Sequence, residues 1–226
     1  MNSTNPFLGI INPRPLGPGS YEMAYSLVEV TKIRPGMRVL EIGAGTGQIA
    51  ATLAKYWNVS VVALEPWEDL NSIQMYAEEV GVTNQVLALN SIAQKMPFAD
   101  QCFDAVISIG SFEMIKDQRP QALQEMIRVA KKGARIGIAE PMCLQESLPS
   151  DLAELDYFRA SQEYFRTVEW NSNLFRQHGL SIIDSYYFED GYKWWIENFR
   201  YYDGNKIEIL QDRGRWLSLG LIVGQK

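Results

Sequence analysis

The stretch from Val39 to Gln48 constrains the fold most, because an apolar run ends there in an acid that three closely spaced glycines follow. This order predicts a buried strand that ends near Ile42, a tight turn, and a helix that begins near Thr46. Glycine lacks a Cβ atom, so such a turn can adopt positive φ values and let a ligand contact the backbone. Open α/β sheets bind ligands at the carboxyl ends of their strands, where this turn would lie.

The spacing of the glycines separates two kinds of nucleotide-binding loop. The fingerprint of dinucleotide-binding proteins is G-x-G-x-x-G, and its third glycine would fall at Gln48. The chain instead has E-x-G-x-G-x-G, from Glu41 to Gly47. A nicotinamide-dependent reductase is therefore disfavoured, whereas a structural turn without a ligand stays open on this loop alone.

Size, charge and cysteine content restrict the classes of partner. A chain of 226 residues is expected to form one domain, and its net charge of −6, without clustered basic residues, argues against nucleic acid. Cys102 and Cys143 have neither metal-ligand spacing nor a disulfide framework, which favours a cytoplasmic setting and predicts no metal. We also expect no secretion signal at the start and no apolar run of the ~20 residues that span a bilayer.

Strand-like and helix-like patterns alternate through residue 140, which predicts a parallel, doubly wound α/β sheet. An aromatic-rich insertion is predicted at about 144–166. We predict an irregular arm over 1–19; helices at 20–31 (capped by Ser20), 46–57, 68–80, 119–132 (with Lys131 and Lys132 in its last turn and Gly133 after it), 168–177 and 192–202; and strands at 37–42, 59–64, 85–89, 105–109, 134–139, 180–188 and 215–223.

Polar residues and glycines follow several of the predicted strands. Glu41 and the glycines end the first strand, and Glu65 ends the second about 20 residues after the glycine turn, the offset at which an acid meets ribose hydroxyls. Asn90 ends the third strand, and Ser108 lies in the end of the fourth. Each acid alone could be a solvated turn residue, but their joint order favours a shared nucleotide site.

The glycine pattern closely resembles motif I of the class I methyltransferases that depend on S-adenosylmethionine (SAM). The resemblance covers about residues 36–142 and is weaker beyond them. It is closest to the small-molecule group that includes ubiquinone- and menaquinone-biosynthesis methyltransferases and glycine/sarcosine-type enzymes. It implies a Rossmann-like, mostly parallel seven-stranded sheet whose last strand pairs antiparallel at or near an edge. It also implies one domain: an arm and helix (1–35), a cofactor-binding core (36–142) and an acceptor side (143–226).

The resemblance also implies SAM as the cofactor, S-adenosylhomocysteine as the product, and a cofactor site at the first three strand ends. Glu41 and the glycines would line the methionine half, and Glu65 would hold the ribose hydroxyls. Pro66 or Trp67 would flank the adenine, and Asn90 stands where relatives often carry an Asp that contacts the adenine amino group. The complete predicted set is Glu41, Gly43, Ala44, Gly45, Gly47, Glu65, Pro66, Trp67, Asn90, Ser91, Ile92 and Ser108.

Methyl transfer requires alignment of donor and acceptor and exclusion of water, so a strong general base is optional. The candidates for catalysis are Glu140, expected to point into the cleft, Ser111 and Tyr21. His178 is expected to end a helix near the negative end of its dipole. Aromatic residues crowd 157–202, and most are predicted to be core. The predicted acceptor contacts are Phe112, Tyr164, Trp194 and Trp195.

Several alternatives stay open at this stage. The proline-containing arm is either a loose terminus or a lid whose Tyr21 and Tyr25 close the site. The function is small-molecule methylation, methylation of a protein or nucleic acid, or SAM binding without catalysis. Ser108 to Ser111 replace the N/D-P-P-Y/F sequence of DNA amino-methylating enzymes, which disfavours DNA. The acceptor and the choice between monomer and homodimer are not predicted.

Overall fold

The computed structural model describes residues 5–226, which form one seven-stranded sheet flanked by helices. The strands are β1 (Arg38–Ile42), β2 (Ser60–Leu64), β3 (Val86–Leu89), β4 (Phe103–Ile109), β5 (Ala130–Cys143), β6 (Ser181–Tyr187) and β7 (Leu217–Gln225). The helices are α1 (Ser20–Thr31), α2 (Gln48–Trp57), α3 (Leu70–Glu79), α4 (Arg119–Val129), α5 (Asp156–Ser161), α6 (Val168–Gln177), α7 (Gly191–Glu197) and α8 (Lys206–Asp212). Short 3-10 segments lie at Pro6–Gly9, Thr83–Gln85, Phe112–Gln118, Leu152–Glu154 and Asn198–Arg200.

The strand order is β3-β2-β1-β4-β5-β7-β6. β7 pairs antiparallel with both β5 and β6, whereas the other pairs are parallel. The Rossmann-like fold class and the antiparallel last strand, one position in from the edge, are therefore confirmed. The order of the strands reverses between β1 and β4, the kind of point at which open α/β sheets form their ligand crevice.

Two apolar layers cover the sheet, one on each face, so its central strands are buried on both faces. Neighbouring residues of β1 belong to different layers: Val39 packs with the layer of α1, α2 and α3, and Leu40 with the layer of α4 and α6. This burial explains why β2 is apolar from Val61 to Leu64 and why apolar residues predominate in β1 and β4. The helices thereby hold the strand ends in fixed positions. Within residues 5–226, no helix has the length and apolar content needed to cross a bilayer.

The bounds of some elements differ from those predicted. The cap residue of α1 is Gly19, at φ +62°, while the Ser20 hydroxyl donates to the Gly17 carbonyl at 2.8 Å. Helix α4 ends at Val129, because Ala130 is already extended and pairs with Phe103. Residues 131–133 therefore lie in β5 instead of closing the helix. Lys131 forms an ion pair with Asp104 at 2.6 Å and does not serve the helix dipole.

The carboxyl-terminal third contains further differences. The predicted helix at 192–202 is the shorter α7 followed by a 3-10 turn, and α8 was not predicted. Helix α8 has only seven residues and directly follows the loop-type residues Asp203, Gly204 and Asn205. Its helical pattern is therefore not recognisable in the sequence. Helix α6 has its predicted bounds, and His178 is its C-cap residue, with Nδ1 2.8 Å from the Leu174 carbonyl oxygen.

Candidate active site

A cavity of about 650 Å³ lies at the carboxyl ends of β1, β2, β4 and β5. One half is formed by the turn after β1 and the end of β2, hereafter the glycine half (residues 41–49 and 64–68). The other half, hereafter the aromatic half, combines the segment 109–118 with Pro141, Tyr157, Phe165, Trp195 and residues 198–209. The cavity therefore lies at the reversal of strand order.

The glycine turn has a backbone that only glycine accommodates at Gly43. Its φ is +68°, and a Cβ atom added there would lie 2.2 Å from the side chain of Ser111. The N–H groups of Gly43 and Ala44 both donate to the Leu64 carbonyl, at 2.8 and 3.1 Å. These bonds attach the turn to the end of β2. The backbone of the turn is thus exposed to the cavity without intervening side chains of its own.

Ser111 and Ser108 support the turn from the side of β4. The Ser111 hydroxyl donates to the Ile42 carbonyl at 2.8 Å and lies 2.7 Å from the Ser108 hydroxyl. Ser111 lines the cavity, whereas Ser108 is fully buried behind it. The prediction that Ser108 contacts the cofactor is therefore corrected: its hydroxyl is engaged within the sheet.

Glu65 lies directly beside the glycine turn. Its Oε2 accepts the Gly45 N–H at 2.8 Å, and its Oε1 accepts the N–H groups of Trp67 and Glu68 at 2.7 and 3.1 Å. A carboxylate offers about four lone-pair sites, so roughly one remains for a ligand hydroxyl. The buried acid thus joins the ends of β1 and β2 and retains limited capacity toward the cavity.

Glu41 is the second buried acid of the glycine half. It is 1% exposed, lines the cavity, and its Oε2 has no hydrogen-bond partner in the described part of the chain. Burial, together with the nearby charge of Glu65, raises the pKa of Glu41 to about 8. An unpaired buried oxygen is costly, so this position favours a ligand that brings a cation or an N–H donor. The ammonium group of SAM has this chemistry.

The predicted adenine contacts are divided by the structure. Pro66, Trp67, Ser91 and Ile92 line the cavity, as do Ala44 and Gly45. The amide of Asn90 is turned to the surface, where its Nδ2 donates to the Pro66 carbonyl at 3.4 Å. Gly47 is also absent from the cavity wall, because its α-carbon faces Ile73 of α3. Direct cofactor contacts by Asn90 and Gly47 are therefore not supported, and Gly47 instead permits close packing of the turn.

The predicted acceptor contacts are mostly displaced from the cavity, and only Trp195 lines it. Phe112 is fully buried in the apolar layer of α4, and Tyr164 packs under Lys116, whose Nζ lies 4.3 Å from the ring centre. Trp194 points to a smaller hollow beside the arm. These corrections share one cause: each side chain is engaged in packing on the outer side of the wall.

Other aromatic residues take their place, namely Tyr157, Phe165, Phe199 and Tyr202. Trp195 donates its Nε1–H to the Ser218 carbonyl at 3.2 Å, and the Phe165 ring packs edge-on against it at 5.9 Å. The aromatic enrichment of 157–202 pointed to this region. It did not identify which rings face inward, because α5, α7 and the following turn are too short to show a clear period.

Residues 5–19 of the arm fold over the glycine turn instead of extending from the domain, while residues 1–4 of the predicted arm lie outside the described residues. The Arg14 N–H and the Tyr21 hydroxyl both donate to the Gln48 side-chain oxygen, at 2.8 and 2.6 Å. Leu16 lies close to Gly45, since a Cβ added to Gly45 would be 2.8 Å from its Cδ1. Arm residues 14–18 and Tyr21 line the cavity. The arm therefore covers the site, and Gln48, which replaces the dinucleotide-type glycine, is its anchor. Tyr25 instead packs against Trp57, with ring centres 6.5 Å apart.

A pair of buried acids lies under the aromatic half. The Glu113 N–H donates to the Glu140 carboxylate at 2.9 Å, and Arg119 donates to the Glu113 carbonyl at 2.9 Å. Glu113 lines the cavity and Glu140 does not, so the expectation that Glu140 points into the cleft is wrong. Glu140 extends from β5 toward the backbone of the 3-10 segment and is shielded by it. Glu113 belongs to no motif, and no pattern in the sequence pointed to it.

Comparison with known proteins identifies the chain's relatives. A family model described as a methyltransferase domain matches residues 39–133. A sterol 24-C-methyltransferase of Gibberella zeae is 30% identical over 159 residues, which cover 70% of this chain and 40% of that protein. The chain thus spans two fifths of the length of this curated relative.

Solved structures resemble the whole fold. The 4+2 cyclase SpnF superposes with a TM-score of 0.77 at 18% identity, over 98% of this chain and 91% of that one. Phosphoethanolamine N-methyltransferase 2 of Haemonchus contortus, solved in complex with SAM, gives a TM-score of 0.76 at 19% identity, over 94% and 54% of the two chains.

The architecture and the cavity at the strand reversal define a Rossmann-like α/β protein with a nucleotide-type site. The family match adds the particular class. Residues 39–133 match a methyltransferase domain, and the comparisons support S-adenosylmethionine as the cofactor of this domain.

Proposed function

We propose that the protein transfers a methyl group from SAM to a small molecule bound in the aromatic half of the cavity. The observation that carries this proposal is the continuity of the cavity. One space of about 650 Å³ borders both the family's glycine turn and a separate wall of aromatic side chains. Donor and acceptor would therefore meet inside a single cavity, as an in-line displacement requires.

In this proposal the glycine half holds the cofactor. The unpaired oxygen of Glu41 receives the ammonium group, and the remaining lone pair of Glu65 receives a ribose hydroxyl. Trp67 and Ile92, which are exposed at the rim, cover the adenine. Two observations support the fit of SAM to the glycine half. The buried carboxylate oxygen of Glu41 has no hydrogen-bond partner in the described residues, and the backbone of the glycine turn faces the cavity. When bound, SAM supplies an electrophilic methyl group on a sulfonium.

The chain's own residues then align the acceptor and exclude water. Tyr157, Phe165 and Trp195 provide the apolar surface that is typical of small-molecule sites. The arm covers the glycine half from the opposite side through Arg14 and Leu16. Exclusion of water matters because methyl transfer to water would consume the donor.

Three features support a small acceptor. The cavity volume lies within the ~300–1,000 Å³ range of small-molecule pockets. The names of the similar proteins specify a sterol and phosphoethanolamine as methyl acceptors. The net charge of −6 opposes binding to nucleic acid.

We include in the same proposal a cytoplasmic setting, because Cys102 and Cys143 are both free thiols.

A second candidate function is SAM binding without methyl transfer. It is favoured by one observation, namely that the fold also occurs in a protein named as a cyclase. A fold does not determine a reaction.

The test combines calorimetric titration with SAM and a screen with radiolabelled methyl donor over amines, phenols, thiols and quinols. We expect SAM to bind and at least one compound to acquire label. Binding without labelling of any acceptor would favour the second candidate. Absence of SAM binding would contradict both.

A further inference from the structure

The carboxyl group of Glu113 is a buried acceptor that faces the aromatic half of the cavity. The side chain is 4% exposed and lines the cavity. Its Oε2 has no hydrogen-bond partner in the described structure. A buried carboxylate oxygen without a partner carries a desolvation cost, which a ligand with an O–H or N–H group would relieve.

The fixed charges around Glu113 do not balance both buried acids. Glu140, on β5, accepts the Glu113 N–H at 2.9 Å, and the two carboxyl groups influence each other's pKa. Arg119 is the buried cation beside the pair, and it is 1% exposed. Its guanidinium donates to the carbonyls of Glu113, Lys116 and Tyr164. One cation compensates one carboxylate, so the pair holds a proton at neutral pH.

The acid faces the region where an acceptor would lie. Tyr157 and Glu113 line the same cavity. Phe165 and Trp195 border the same space. Ser111, two residues before Glu113, adjoins the glycine turn, so the acid lies close to the junction of the two halves of the cavity.

We propose, on the basis of the proposed function, that Glu113 contacts the methyl acceptor and takes up the proton released by its methylation. The acceptor class is a molecule with an aromatic or apolar body and an O–H, N–H or S–H group at the methylated atom. This assigns Glu113, and not Glu140 or Ser111, as the catalytic residue of the acceptor side. Glu140 is a positioning residue that holds the proton that the pair already carries at neutral pH.

The step balances without another reactant. The acceptor heteroatom forms a bond to the methyl carbon, and the bond between that carbon and the sulfonium sulfur breaks with its electron pair on sulfur. The proton of the acceptor passes to the ionised Glu113 carboxylate. The products are the methylated acceptor, neutral S-adenosylhomocysteine and protonated Glu113, which returns its proton to solvent when the site opens.

The titration of the pair is compatible with this role. Burial raises the pKa of Glu113 to about 7, with hydrogen bonds from Glu140 and its own backbone and the charge of Arg119 opposing the shift. Burial also raises the pKa of Glu140 well above its usual range. Arg166 and Cys143 also influence the pKa of Arg119, which burial lowers. A base with a pKa near neutral pH is well suited to proton transfer.

The experiment compares the wild type with Glu113→Gln, Glu113→Asp and the exposed-acid control Glu78→Gln. SAM affinity is measured by calorimetry, and kcat/KM is measured from pH 5.5 to 9 with a phenol, an alcohol, an amine and a thiol that have aromatic bodies. We expect wild-type kcat/KM to rise with pH through an inflection near 7. In Glu113→Gln, kcat/KM falls about 10²-fold or more and loses the inflection, while the dissociation constant for SAM changes less than threefold. Glu113→Asp retains the inflection at reduced rate, and Glu78→Gln matches the wild type.

Two results would overturn the inference while leaving the proposed function intact. One is SAM-dependent methylation that Glu113→Gln performs within threefold of the wild type with the same pH profile. The other is methylation confined to compounds without an O–H, N–H or S–H group at the methylated atom. A wild type that does not bind SAM overturns the proposed function itself. If Glu113→Gln does not fold, as shown by its thermal unfolding, a wild-type profile without an inflection between pH 6 and 8 contradicts the inference.

Discussion

The two halves of the cavity are constructed in different ways. The glycine half comes from one continuous stretch, residues 41–49, and from Glu65 at the end of the adjacent strand. The aromatic half comes from six separate parts of the chain, which meet only because β4, β5, α5, the loop before α6, α7 and residues 198–209 converge. The glycine half is held by hydrogen bonds to backbone, and the aromatic half is held by ring packing.

This difference shows where specificity can vary. In the glycine half, bonds such as that between Gly45 and Glu65 need a fixed backbone, so most substitutions there would disturb binding. In the aromatic half, side chains form the wall, and their exchange would alter the acceptor while the sheet stays unchanged. Cofactor recognition and acceptor recognition should therefore respond separately to mutation.

The largest effect is expected for Glu65→Ala, which removes the acceptor of three backbone N–H groups. The loss of charged hydrogen bonds should weaken SAM binding by about 2–3 kcal/mol, roughly 30- to 150-fold. Calorimetry measures the affinity, and thermal unfolding monitors the fold. The matched control is Glu78→Ala on the exposed face of α3. Unchanged SAM affinity in Glu65→Ala would show that the glycine half does not depend on this acid.

Gly43→Ala tests whether the turn requires glycine for its conformation or for its close contact. Gly43 and Gly36 both have positive φ values, +68° and +84°, but only an added Cβ at Gly43 meets a neighbour. Gly36→Ala should lower the free energy of unfolding by about 1 kcal/mol, and Gly43→Ala by about 2 kcal/mol or more with loss of SAM affinity. The measurements are denaturant unfolding and calorimetry.

The double variant Gly43→Ala/Ser111→Gly sharpens this test. Removing the Ser111 side chain relieves the contact at 2.2 Å, so part of the lost affinity should return. If the double variant is no better than Gly43→Ala, the contact with Ser111 is not the cause of the loss.

The pH dependence of stability tests the environment of Glu41. Its pKa is raised from 4.5 to about 8, so the folded state retains a proton that the unfolded state has released within this range. The contribution to stability is present below pH 4.5 and is lost as pH rises through 8. In the absence of cofactor, the unfolding free energy of the wild type should therefore decrease between pH 4.5 and 8. In Glu41→Gln this decrease should be smaller, by up to about 1.4 kcal/mol per pH unit. Denaturant unfolding at several pH values measures the slope, and an unchanged slope would contradict the assignment.

The smallest effect is expected in the aromatic half, where two adjacent tryptophans form a matched pair. Trp195 lines the main cavity and Trp194 the smaller hollow. Trp195→Phe should raise the acceptor KM about two- to tenfold through lost aromatic contact, with SAM affinity unchanged, and Trp194→Phe should leave both unchanged. Steady-state kinetics and calorimetry separate the two effects. An equal response of both variants would mean that Trp195 acts through stability alone.

The predictability of the two halves follows from their construction. The position of Glu65 beside the turn followed from its offset along the chain, because parallel strands bring their carboxyl ends to one edge. Glu113 and Gln48 were not found, since their roles depend on contacts with Glu140 and Arg14 that no local pattern encodes. Phe112 was assigned to the acceptor from its position after β4, but the 3-10 backbone turns its ring into the core.

The central claim is that the ends of β1 and β2 form a site for SAM rather than for a dinucleotide. Calorimetric titration of the wild type with SAM, S-adenosylhomocysteine and NADH tests it most directly. We expect SAM and S-adenosylhomocysteine to bind and NADH not to bind. Tight binding of NADH without binding of SAM would contradict it.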